Sequence, residues 1–115
     1  MAKEKGVLNG GITMLLLKLL EGRDMYGYQI IEELAKRSNN TFTLKTGTLY
    51  PALHGLEKDK LVISYDAAAG NQRVRRYYHI TESGKGMLSE KQSEWRAYSS
   101  AVNKVLKGGA SYAAV

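Results

Sequence analysis

The hydrophobic period of this chain changes once and then changes back, and that switch constrains the fold more than any other feature. Up to Lys60, apolar residues recur at helical spacing; across "LVISYDAAAGNQRVRRYYHIT", β-branched and aromatic residues flank a turn-rich centre that includes Gly70 and Asn71. From Thr81 onward the helical spacing returns. Three helices, a two-stranded hairpin and one long helix are therefore expected in that order, within the single domain that 115 residues allow.

In the first helix, "NGGITMLLLKLLEG" offers Asn9 as a cap, an apolar stripe of Ile12, Leu15, Leu16, Leu19 and Leu20, and a stop at Gly22. The second, "MYGYQIIEELAKRSNN", places Tyr26, Ile30 and Leu34 on one face and ends near Asn39. The third runs from about Thr46 to Lys60, with Leu49, Leu53 and Leu56 on one stripe and Tyr50, His54 and Lys58 on another. It contains Pro51, the only proline in the chain. Proline is tolerated in a first turn, whose amides have no intrahelical partner, so the helix is predicted to start close by, capped by Thr48 or by Thr46. In the hairpin's second strand, Val74, Arg76, Tyr78 and Ile80 face one way and Arg75, Tyr77 and His79 the other. Thr81 is predicted to cap the long helix, and the glycine-bearing segment 108–115 is expected to be a disordered tail.

The chain has no cysteine and two histidines without clustered carboxylates, which removes disulfides, thiol nucleophiles and the usual zinc sites. No cofactor and no enzymatic constellation is expected. No apolar run approaches the roughly 20 residues needed to cross a bilayer, and the first residues do not read as a signal peptide, so a soluble, cytoplasmic protein without a membrane partner is expected. A net charge of +6 makes an acidic surface such as nucleic acid a natural partner. Half of that excess falls in the middle third, where Lys45 to Ile80 carries 6 basic and 3 acidic residues.

The predicted order is that of a mainly α winged helix-turn-helix (residues 1–81) followed by a long C-terminal dimerisation helix (residues 82–107). At this point the residues match a family: "YGYQIIEEL", "GTLYPALHGLEKDKLV" and "RRYYHITESG" resemble, in order and spacing, motifs of the PadR family of bacterial transcriptional regulators. The resemblance covers about Ile12 to Trp95, and the short C-terminus resembles the subgroup with a single terminal helix. One departure is Lys60, where the family usually has glycine. The resemblance implies a homodimer that binds double-stranded DNA at a palindromic operator, usually as a repressor released by a small molecule. An alternative within the same fold is a protein-protein interaction module with no operator.

On that reading Lys45, Thr46, Thr48, Tyr50 and His54 are the DNA contacts of the third helix, with hydroxyls and the lysine on phosphate and His54 toward a base edge. Arg73 and Arg75 are the wing's contacts; Arg76 is set aside because it shares a face with Tyr78 and Ile80. The competing reading for all of them is a solvated surface. On the last helix Leu88, Trp95 and Val102 recur every seven residues with Tyr98 and Val105 at offset positions, a heptad seam that needs a second copy. The resemblance also implies that Trp95 lines a site for a small aromatic ligand between the two copies, with Met14, Leu15 and Lys18 as the opposing wall; simple packing of Trp95 is the alternative.

Overall fold

The computed structural model describes residues 11–70 and 72–108. Its elements are α1 (Ala2–Gly22), β1 (Met25–Tyr26), α2 (Gly27–Arg37), α3 (Thr46–Lys58), β2 (Val62–Ala68), β3 (Val74–Ile80) and α4 (Glu82–Ala114). The expected cap Asn9 lies outside the described residues, as does the expected tail apart from Gly108, which belongs to α4.

Leu16, Leu17, Leu19 and Leu20 of α1 are all at most 3% exposed, which makes this helix the centre of the molecule. It is covered by α2 and α3 and also by β3 and α4, so Leu17 is buried in addition to the predicted stripe, while Ile12 and Leu15 are half-buried. Ile30 and Leu34 of α2 and Leu49, Leu53 and Leu56 of α3 close over it. Each such leucine stabilises the fold by about 1.5–3 kcal/mol on leaving water.

Two helix starts differ from the expectation. Tyr26 does not belong to the second helix: it lies in β1 and is the residue before α2, with its backbone amide donating to Gln29 Oε1 at 3.2 Å. A third strand thus joins the hairpin, in the order β1-β3-β2, all antiparallel, with Met25 opposite Tyr78 and Tyr26 opposite Tyr77. A two-residue strand has no periodicity to read, and its pairing is fixed only by Met25 entering the core. In α3 the cap is Lys45 in extended conformation, rather than either threonine, and Pro51 is the sixth helical residue. It is exposed and leaves the Gly47 carbonyl without its intrahelical donor.

Helix ends are specified as carefully. After α3, Lys60 N–H donates to Glu57 O at 3.0 Å and Leu61 N–H to Leu56 O at 2.9 Å, with Lys60 at φ 61°. That is a Schellman stop with lysine in the left-handed position where glycine is usual. Asn39 and Asn40 do the same after α2, at φ 51° and 64°. Thr81 caps α4 as predicted, its Oγ1 accepting from Gly84 N–H at 3.0 Å and donating to the Lys60 and Leu61 carbonyls. Leu88 differs from the expected seam: at 1% exposure its surface is already consumed by the chain's own core. The exposed stripe of α4 begins one heptad later, where the helix has run past that core.

Candidate nucleic-acid interface

Because Leu49, Leu53 and Leu56 are buried to 4% exposure or less, the opposite face of α3 points outward by geometry alone. Lys45, Thr46, Thr48, Tyr50, Pro51 and His54 are all exposed there. From Lys45 to Leu56 there is no acidic residue; the next, Glu57, turns to the wing and accepts a hydrogen bond from Ser64 Oγ. The leading amides of the helix have no intrahelical partner, and they add positive potential to the same end.

Tyr50 is more than a surface residue. Its ring lies against the backbone of Gly27, so closely that a Cβ at position 27 would overlap the phenol oxygen and ring carbon. Glycine at 27 is therefore a condition for the approach of α3 to the start of α2. Sequence reasoning had Tyr50 as a DNA contact and missed this contact, whose only signal was the "YGY" spacing.

The wing meets the same place. Arg75 is half-buried, with its guanidinium 5.0 Å from the Tyr26 ring centroid and 6.0 Å from that of Tyr28. Arg76, on the other face of β3, reaches toward Asp66 at 3.5 Å. Arg73 is exposed at the hairpin tip, where Gln72 takes φ 68°. On the outer face of the sheet Tyr77 packs edge-on against Tyr26 at 5.3 Å and stacks with Tyr65 at 5.7 Å. Asp24 fastens this layer from the α1–β1 connection, accepting from Tyr65 Oη and facing His79 Nδ1 at 2.8 Å. Partial burial alone would raise the Asp24 pKa, but the hydrogen bonds from Tyr65 and His79 hold it below its ordinary value, and the same bond to Asp24 raises that of Tyr65.

The residues expected at an effector site are more scattered. Trp95 is 54% exposed, with Tyr98 as ring neighbour at 5.9 Å. Met14 and Leu15 pack half-buried against the core, and Lys18 pairs with Glu21 at 2.9 Å. Tyr98, Val102 and Val105 continue an exposed apolar stripe, which Leu106 extends. Among the described residues no helix is long and apolar enough to cross a membrane.

Three comparisons bear on this arrangement. The model of the transcriptional regulator PadR-like family matches residues 16–90. A transcriptional regulator of Mycobacterium tuberculosis is 34% identical over 103 residues, covering 90% of this chain and 89% of that protein. Among solved structures, a PadR family transcription regulator from Clostridium difficile superposes with a TM-score of 0.71 at 36% identity, over 83% of this chain and 97% of that one. A PadR-like transcriptional regulator from Bacillus cereus gives 0.74 at 31% identity, over 92% and 97%.

Proposed function

The chain belongs to the PadR-like family of transcriptional regulators, and from that premise we propose that it is a cytoplasmic, homodimeric repressor that binds a palindromic operator through α3 and the wing. The observation that carries this reading is a convergence. Tyr50 from α3 and Arg75 from β3 both settle on Tyr26–Tyr28, so the acid-free face of α3 and the basic strand of the wing form one continuous surface. On this surface Lys45, Thr46 and Thr48 meet phosphate at the helix start, and His54 lies deeper in the groove. Arg73 and Arg75 follow the adjacent backbone.

The exposed stripe of Trp95, Tyr98, Val102 and Val105 supports pairing of two copies through α4. A twofold pair places the two α3 helices about one helical turn of DNA apart, roughly 34 Å. Trp95 and Tyr98, two adjacent rings on this seam, are where a small aromatic or hydrophobic effector would stack and release the operator. Footprinting on the region upstream of the protein's own and neighbouring genes, repeated at several salt concentrations, tests the proposal. Protection of two inverted half-sites, with affinity falling steeply as salt rises, is the expected result. Binding without sequence preference would count against an operator.

A further inference from the structure

Arg75 occupies an unusual environment for a charged side chain. Its Nε is buried and has no hydrogen-bond partner, and no carboxylate among the described residues pairs with it. Its neighbours are rings: Tyr26 at 5.0 Å and Tyr28 at 6.0 Å. Tyr26 is itself braced by Tyr77, which stacks on Tyr65, whose hydroxyl is held by Asp24. A row of rings anchored at one end by a carboxylate thus ends on a guanidinium. Such an arrangement fixes the direction of the arginine without neutralising it. For stability alone, an apolar side chain here would avoid the orphaned Nε, or an acidic neighbour would pair the charge. A charge that is oriented, unpaired and next to the acid-free face of α3 is suited to an anion brought from outside.

We propose that Tyr26 and Tyr28 are positioning residues for DNA binding: they hold Arg75 pre-oriented on a backbone phosphate of the duplex beside α3. The inference rests on the operator-binding reading and deepens it. Tyr28, 62% exposed, is the residue to vary, because its removal leaves the core intact. A phosphate contact needs no particular base sequence, so the probe is a random-sequence duplex of about three helical turns, ~30 bp. Dissociation constants are measured over a range of potassium chloride concentrations for the wild type, Arg75→Ala, Tyr28→Ala, Tyr28→Phe and the double variant Arg75→Ala/Tyr28→Ala.

Arg75→Ala should weaken binding about tenfold at the lowest salt and lower the salt slope by about 0.9. Tyr28→Ala should reproduce part of both effects, Tyr28→Phe should behave as wild type, and the double variant should be no worse than Arg75→Ala. Losses that multiply in the double variant, a Tyr28→Phe defect equal to that of Tyr28→Ala, or an unchanged slope in Arg75→Ala would each overturn the proposal. A wild type that binds no duplex would remove the operator-binding reading with it, whereas a wild type that binds while the variants act independently removes this inference alone. Tyr28→Leu, which keeps apolar cover and removes the ring, makes the same comparison if Tyr28→Ala melts below the working temperature.

Discussion

A side chain on Gly84 would run into the carbonyl oxygen of Leu61. An added Cβ there would also press on Ile80, and the Leu61 oxygen cannot retreat because it accepts from both the amide and the hydroxyl of Thr81. The end of α3, the wing and the start of α4 are locked together through these residues. Gly84→Ala should therefore destabilise the fold by about 2–3 kcal/mol. Gly86, two residues on in the same helix, faces open space, so Gly86→Ala should stabilise it by about 0.5–1 kcal/mol. Denaturant unfolding of the two variants side by side checks the opposite signs.

Lys60 is held at φ 61°, a backbone region that costs a residue with a Cβ roughly 1–2 kcal/mol. Replacing it by glycine relieves that strain, offset in part by the greater freedom of glycine in the unfolded chain. A net gain of about 0.5 kcal/mol is expected for Lys60→Gly, and a loss of stability would show that the lysine makes a compensating contact.

Gly27→Ala should displace the Tyr50 ring, lowering both the melting temperature and duplex affinity. The two effects share one cause. In a cycle with Tyr50→Ala, the double variant should melt close to Tyr50→Ala alone, because the clash disappears with the ring. Additive losses would mean that position 27 matters for a different reason.

The Asp24 cluster makes stability depend on pH at both extremes. The folded pKa of Asp24 is depressed, so its contribution is fully present above the unfolded value of about 3.9 and is lost as pH falls through the folded one. The folded pKa of Tyr65 is raised, so its contribution is present below about pH 10 and is lost as pH rises through the folded value. Asp24→Asn should flatten the acid limb of a stability-pH curve, at a cost near neutrality of less than about 1 kcal/mol for so exposed a group. Tyr65→Phe should flatten the alkaline limb.

Features set by neighbours in sequence were the legible ones. The stripe of Leu49, Leu53 and Leu56, the alternation of β3 and the Thr81 cap follow from spacing and from side-chain chemistry a few residues away. The α2 start did not, because Tyr26 is claimed by pairing with Tyr77, some fifty residues on, and local helical spacing cannot register that competition. For the same reason the link of Asp24 to His79 and the seat of Arg75 between two tyrosines were invisible. Leu88 fitted the heptad as well as Trp95 did; only the extent of the folded body separates a core position from an exposed one.

The central claim, two copies joined through α4 to present paired α3 helices to one duplex, is tested most directly by sedimentation equilibrium of the full chain, alone and with operator DNA. The expected result is twice the chain mass in the absence of DNA, and two chains per duplex in its presence. A single chain at every concentration, unpaired even on the duplex, would contradict it.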